Sequence, residues 1–195
     1  MHRDIRTLST IIRRSIAKQP LGLTNLDVTE ADLGAVRRKK GIDFERHAVT
    51  VLSQYGFTLK RSADESSGVL ADGGIDLHGE WTFADQLPVA GQCKNLSRSV
   101  AVSAIRELES SVQRVAADRG KQVMGLLITS TDLSVPARKW FDQSEVLLSV
   151  AILREEHPWC ELVFNKTLAK HIPGLSVVRQ FNPVFNTFVD VIIKR

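Results

Sequence analysis

Gly73-Gly74-Ile75-Asp76-Leu77, followed after a short insert by Val89-Ala90-Gly91-Gln92-Cys93-Lys94, is the stretch whose reading decides the fold. Gly73 and Gly74 supply the free φ of a tight turn, and Ile75, Leu77 and Val89 are strand formers. Each piece therefore reads as a short strand entered from a turn, and the two together as a hairpin. Side chains alternate along a strand, so Gln92 and Lys94 face one way and Cys93 the other. Pairing of the two strands gathers Asp76, Gln92 and Lys94 into one patch. A carboxylate, an amide oxygen and an ammonium at one strand edge suit metal-assisted phosphodiester hydrolysis. The oxygens hold a hard divalent cation, while the lysine orients the attacking water and offsets developing negative charge. Each half alone has a plainer reading, an Asp at a strand edge and a solvated Gln-x-Lys face; the set carries the chemical expectation.

Working outward, Phe44, Ala48, Val51 or Leu52, and Tyr55 recur every three to four positions and predict an amphipathic helix from Ile42 to Tyr55, ending before Gly56. Glu45 lies near its start, where a first-turn acid suits the helix dipole and where it also leans toward the sheet edge. His47 reads as a surface residue. Phe57-Thr58-Leu59-Lys60 alternates as a first strand, and the polar stretch Ser62 to Gly74 reads as a loop. The hairpin strand continues to Trp81, with the turn back around Asp85 to Pro88. Val102, Ile105, Leu108, Val112 and Val115 then mark a second helix, on which Glu107 is a candidate outer acid of the patch. Gln122 to Thr129 is a nearly continuous apolar run, as in a strand covered on both faces. Ser134 caps a further helix with Pro136 in its first turn, Val146 to Leu153 reads as another buried strand, and Leu162-Val163-Phe164 and Phe188 to Ile193 read as late extended pieces. The order of elements predicts an α/β mixed sheet flanked by helices.

The 195 residues are most simply one domain preceded by a basic segment, residues 1–40 and 41–195. Residues 1–40 hold nine Lys and Arg against four acids, so the rest of the chain sums to −1 of the total +4. Met1 to Pro20 is Arg-rich, poor in acids and apolar at helical spacing (Ile5, Leu8, Ile11, Ile12, Ile16), a composition that favours mitochondrial targeting over a phosphate-touching arm or an ordinary amphipathic helix. Thr29 is placed to cap a helix starting at Glu30, and Arg37-Arg38-Lys39-Lys40 is either a solvated helix end or a phosphate-contacting patch. Lys60-Arg61 and Arg98 are further local clusters for a nucleic-acid backbone. Cys93 and Cys160 show no metal-ligand spacing with each other, and His157 with Cys160 makes only half a zinc site, so both cysteines read as structural in a reducing compartment. No apolar run nears the length of a membrane span, about 20 residues. A phosphate-binding loop, a dinucleotide fingerprint and a serine-hydrolase elbow are all missing from the sequence. With Tyr55 as the single tyrosine, on a core-facing helix, and no partnered histidine, metal-independent RNA cleavage has little to stand on.

Gly41-x-x-Phe44-Glu45 on a helix, Gly74-Ile75-Asp76-Leu77 on a strand and Gln92-Cys93-Lys94 on the next resemble the PD-(D/E)XK restriction-endonuclease-like superfamily, in its Mrr-type branch, which uses Gln where other branches place an acid. Gly74 to Trp81, Gln92 to Lys94, Arg106 to Glu109 and Val163-Phe164-Asn165, the last as an Asn-containing strand, further resemble a fungal mitochondrial family, the seventh of those named as required for respiratory growth. The resemblance spans roughly Lys40 to Val178; residues 1–40 carry no superfamily motif, and Phe44 stands where a Tyr is the pattern. It implies an αβββαβ core. Asp76 would be the principal metal ligand, Lys94 the residue that positions water, and Gln92 with the Cys93 backbone carbonyl the rest of the metal shell, with Glu45 an outer ligand. Mg²⁺, with Mn²⁺ as a substitute, is the implied cofactor. The function it implies is a metal-dependent nuclease, on DNA more than RNA, in the mitochondrial matrix. Arg37, Arg38, Lys39, Lys40 and Arg98 are the candidate backbone contacts. The alternative is an inactive nuclease fold that binds nucleic acid or scaffolds. Homodimers that cut both strands are common in such folds, although the sequence marks no dimer face.

Overall fold

The computed structural model describes residues 30–64, 74–154, 159–183 and 187–194. The targeting segment, the Thr29 cap, Gly73, most of the 62–74 loop and His157 fall outside these residues. The chain divides into two units between Val36 and Arg37, and every strand belongs to the second.

Helix α1 spans Glu30–Ser53. It starts at Glu30, where a helix was expected, and runs unbroken through Arg37–Gly41, so that helix and the one expected from Ile42 are one. Glu30 and Asp32 sit in its first turn at the positive end of the helix dipole, and Arg and Lys are good helix formers, so Gly41 does not interrupt it. The basic cluster is therefore a mid-helix surface, with all four side chains exposed. Phe44, Ala48, Val51 and Leu52 form the buried stripe.

Next come β1 (Phe57–Arg61), β2 (Leu77–Trp81), β3 (Leu87–Lys94), α2 (Val102–Arg119), β4 (Met124–Thr129), α3 (Val135–Gln143), β5 (Leu148–Leu153), β6 (Cys160–Phe164), α4 (Lys166–His171), β7 (Leu175–Asn182) and β8 (Thr187–Lys194). The expected αβββαβ core is present as α1-β1-β2-β3-α2-β4. Among the described residues one sheet has the order β1-β2-β3-β4-β5-β6, and β7-β8 form a separate ribbon. The hairpins β1-β2 and β2-β3 are antiparallel, β3-β4-β5 run parallel through the crossovers α2 and α3, and β6 returns antiparallel.

Helices cover both faces, so β4 and β5 are buried at every position. On one face Met124, Leu126, Ile128, Ala151 and Leu153 pack with the α1 stripe. On the other, Leu127, Leu148, Val150 and Ile152 meet Ile105, Leu108 and Val112 of α2 and Phe141 of α3. Ser134 caps α3, its side chain accepting from Ala137 N at 3.4 Å. Trp81 is fully buried, stacked on Phe57 with ring centroids 4.9 Å apart, and its Nε1 donates to Tyr55 O at 2.9 Å. The Tyr55 hydroxyl donates to Cys160 O and accepts from Cys160 N, both at 3.3 Å, and burial raises its pKa. Only glycine fits at position 79, because a Cβ there would sit 1.9 Å from Thr58 O of the paired strand.

Asn165 corrects the sequence reading. It follows β6 and caps α4 instead of extending a strand: its Oδ1 accepts from Leu168 N at 2.9 Å and Leu148 N at 3.2 Å. Its Nδ2 donates to Ser144 O at 3.1 Å and Val146 O at 2.8 Å. A short side chain that bonds backbone competes with strand pairing and favours a cap.

Candidate active site

Gly74 turns the chain into β2 with φ +70°. Asp76 follows, its amide donating to Gly91 O at 2.9 Å, which brings it level with the end of β3. Asp76 Oδ2 accepts from Cys93 N at 2.7 Å. The hairpin predicted from the two short motifs thus sets the carboxylate against the Gln92–Lys94 segment.

Strand alternation places the remaining groups. Ala90 packs against α2 and Val89 against α1, so Gln92 and Lys94 fall on the α2 face, and Cys93 packs on the α1 side. Opposite Gln92 and Lys94, one turn along α2, stands Glu107. Gln92 Nε2 donates to Glu107 Oε1 at 3.1 Å, and Lys94 Nζ donates to Glu107 Oε2 at 3.1 Å. Gln92 is 2% exposed, and its Oε1 is enclosed without a hydrogen-bond partner. The carboxylate offers only acceptors, so it fixes which end of the amide faces it and leaves the oxygen unpaired.

Glu45 is placed differently from the simple expectation. Its Oε2 accepts from Arg61 Nε at 2.8 Å, and Arg61 Nη1 donates to Asp64 Oδ1 at 2.9 Å. Arg61 is 9% exposed, so it clamps two acids and is not a phosphate-contacting surface group. The signal was available in the alternation: Arg61 shares the face of Phe57 and Leu59, both buried. His47 is likewise half-buried, with Nε2 enclosed and unpartnered, and lines a cleft of about 320 Å³ with Lys40, Asp43, Phe44 and Asn95.

Burial pushes the Asp76 carboxyl above its ordinary value. The Cys93 amide and Lys94 pull it down, while Glu45 and Glu107 add to the rise. The Cys93 thiol is pushed well up, by burial first and then by Asp76 and Glu45, which makes it a poor nucleophile. Cys160, in the core, is pushed up to about 12 by burial.

The oxygen-rich set fits a hard divalent ion. Asp76 contributes a carboxylate whose charge is poorly compensated, and Gln92 Oε1 is a buried acceptor in need of a partner. No cluster of three or more His, Cys, Asp or Glu side chains placed to hold a metal occurs among the described residues, so an ion here would lean on the Gln92 oxygen, backbone carbonyls and water beside Asp76. Mg²⁺ keeps several waters and takes one or two carboxylates, which suits such a sparse set.

Beside this patch a cleft of about 400 Å³ is lined by Lys94, Leu96, Arg98, Ser103 and Glu107. Arg98 therefore opens onto the same cleft as Lys94. Its loop is anchored from the segment after β4: Ser130 Oγ accepts from Leu96 N and donates to Leu96 O, each at 2.9 Å, and Thr131 Oγ1 donates to Arg98 O at 2.8 Å. Arg37 to Lys40 lie on α1 outside this cleft's lining. No described helix is long and apolar enough to cross a membrane.

Among solved structures, a repair endonuclease from Pyrococcus abyssi is similar at 19% identity, covering 62% of this chain and 46% of that one, with a TM-score of 0.41. The structure of an EndoMS-dsDNA2 complex is similar at 20% identity, covering 67% and 47%, with a TM-score of 0.38. The chain spans about half the length of these two. A search of curated proteins returned no match. A family model for the Mrr catalytic domain, described as a restriction endonuclease, matches residues 36–152, which take in most of α1, the hairpin, Asp76, Gln92, Lys94 and Glu107. The chain belongs to the Mrr-type restriction endonuclease family.

Proposed function

We propose that this protein is a divalent-metal-dependent endonuclease that hydrolyses phosphodiester bonds of DNA. The observation that carries the reading is the buried, unpaired Gln92 Oε1 on the strand end whose Cys93 amide binds Asp76 and whose Lys94 is held by Glu107. Asp76 and Gln92 Oε1 would hold the ion with the Cys93 carbonyl, and Glu45 would reach it through water. When bound, Mg²⁺, or Mn²⁺ in its place, would polarise the phosphodiester and neutralise charge on it. Lys94 is held by Glu107 at the mouth of the cleft, where its ammonium donates a hydrogen bond to the attacking water and faces the charge that grows on the phosphoryl oxygens. The water's oxygen bonds to phosphorus as the bond to the leaving oxygen breaks; the water gives its proton to bulk solvent, and the leaving oxygen departs as an alkoxide that takes a proton from solvent. Arg98 in the same cleft, and Arg37 to Lys40 on α1, supply salt-sensitive backbone contacts.

The test is cleavage of single-stranded, duplex and branched DNA by the purified protein, with Mg²⁺ and with chelator, beside Asp76→Ala and Lys94→Ala. The expected result is Mg²⁺-dependent cutting that each substitution lowers on the order of 10²-fold or more with the fold intact. A wild-type protein that binds DNA but never cuts with Mg²⁺ or Mn²⁺ overturns the reading in favour of a binding or scaffolding module. Cutting of RNA in preference to DNA overturns the substrate. Sedimentation with and without duplex DNA tests the homodimer that two-strand cleavage calls for. The mitochondrial assignment rests on the composition of the N-terminal segment, and import of a reporter carrying residues 1–29 into isolated mitochondria checks it.

A further inference from the structure

We propose that Glu107 is a positioning residue that orients both Gln92 and Lys94, and that it dictates an amide instead of a carboxylate at position 92. The inference rests on the nuclease reading for its chemistry and on two hydrogen bonds for its geometry.

The two oxygens of Glu107 are divided between two donors, Gln92 Nε2 and Lys94 Nζ, each 3.1 Å away. Gln92 and Lys94 come from one strand and Glu107 from the facing helix, so this carboxylate is the tie across the site. Its effect on Gln92 is directional. An amide has one acceptor end and one donor end, and an acceptor-only neighbour captures the donor end. The oxygen is then the atom left facing elsewhere, enclosed and unpaired. A Glu at position 92 would set carboxylate against carboxylate and leave Lys94 as the single donor between them.

Glutamine at position 107 breaks the arrangement in a defined way. It brings one acceptor to two donors. If that acceptor serves Gln92, an NH₂ group faces the Lys94 ammonium. If it serves Lys94, its NH₂ captures Gln92 Oε1, and the Gln92 NH₂ replaces the oxygen offered to the ion. Exchanging the two groups repairs every contact: in the Q92E/E107Q pair, residue 107 accepts from Lys94 and donates to residue 92, whose second oxygen stays available. Net charge is conserved.

The experiment compares wild type, Q92E, E107Q, Q92E/E107Q and the control Q92E/E109Q. The control has the same net charge as the exchange but leaves Glu107 in place. Mn²⁺ affinity by titration calorimetry and DNA cleavage are read separately. Glu107 is half exposed but Gln92 is buried, so thermal unfolding of each variant is read first and only folded variants are compared.

The expected result is a reversal of sign. E107Q weakens Mn²⁺ binding and cleavage by roughly tenfold or more, and Q92E lowers cleavage in the wild-type background yet raises both readouts in the E107Q background. Q92E/E109Q shows no rescue. The proposal is overturned if E107Q matches wild type, if Q92E acts alike in both backgrounds, or if the E109Q control rescues as well. Wild type that cuts without the reversal sinks this proposal and leaves the nuclease reading standing. The reversal in Mn²⁺ affinity with no cutting by wild type does the opposite.

Discussion

Two buried side-chain amides sit on the same fold and are treated in opposite ways. Asn165 is fully buried, and every donor and acceptor position it has been given is used: two backbone amides reach its oxygen and two carbonyls receive its nitrogen. Gln92 is 2% exposed and has only its nitrogen paired, to Glu107, while its oxygen is enclosed with nothing to accept from. An unmet buried acceptor costs about 1–3 kcal/mol, so Gln92 carries a burden that Asn165 does not, one shared among the described residues by the enclosed Nε2 of His47. Asn165 ties β5, β6 and α4 together; Gln92 keeps an acceptor free, which is what the metal site proposed above would use.

The largest effect should come from Asn165→Ala. Four hydrogen bonds are lost and buried backbone groups are stranded, so denaturant unfolding should register about 3–5 kcal/mol, a fall in Tm of roughly 10 °C. A loss under about 1 kcal/mol would dissolve the contrast between the two amides. Gln92→Met, of similar shape, should leave stability within about 1 kcal/mol of wild type, since it removes one satisfied and one unsatisfied group together. The same variant should cut DNA on the order of 10²-fold more slowly. A stability loss matching that of Asn165→Ala would return Gln92 to the structural class.

Arg61→Met sharpens the comparison from the α1 side. It leaves the partly buried Glu45 without its cation and close enough to Asp76 to raise it further, and unfolding should show a loss of about 2 kcal/mol. The smallest effect expected is a gain. Asp76 holds its proton more tightly in the fold than in the unfolded chain, so it favours the fold below the ordinary carboxylate range. That contribution disappears as pH rises through the raised folded value. At neutral pH the ionised group is a net burden, and Asp76→Asn, which can still accept from the Cys93 amide, should raise Tm by about 2–4 °C and flatten the pH dependence of stability while cleavage is lost. Added Mg²⁺ should raise the Tm of wild type and leave that of the variant unchanged.

The sequence was most legible where one period governs a short stretch. Two residues of separation put Gln92 and Lys94 on one face and Cys93 on the other, a turn at Gly74 brought Asp76 level with them, and the hairpin followed. The β4 and β5 runs read as buried strands because apolar residues fill both faces. Partnerships between residues distant in the chain were less legible. Arg61 was two positions past a visible alternation, but its acid partner lies 16 residues upstream on a helix, so it looked like one more surface cation. Asn165 bonds 17 and 21 residues back, to Leu148 and Ser144, and a side chain committed to such groups leaves no periodic trace. The helix expected to start at Glu30 and the one expected to start at Ile42 are a single α1, for a local reason: Gly41 carries an ordinary propensity cost of about 1 kcal/mol, which a long helix absorbs.

The hydroxyls of Ser130 and Thr131 have a consequence beyond holding a loop. They fasten Asn95 to Ser99 through backbone groups of Leu96 and Arg98 and leave the side chains outward. Ordering backbone costs about 1–2 kcal/mol per residue, and here three hydrogen bonds to Leu96 and Arg98 hold the loop without an anion. Under the nuclease reading proposed above, a phosphate drawn to Arg98 would meet one side chain to immobilise on a loop already tied down, which favours fast, salt-sensitive encounter.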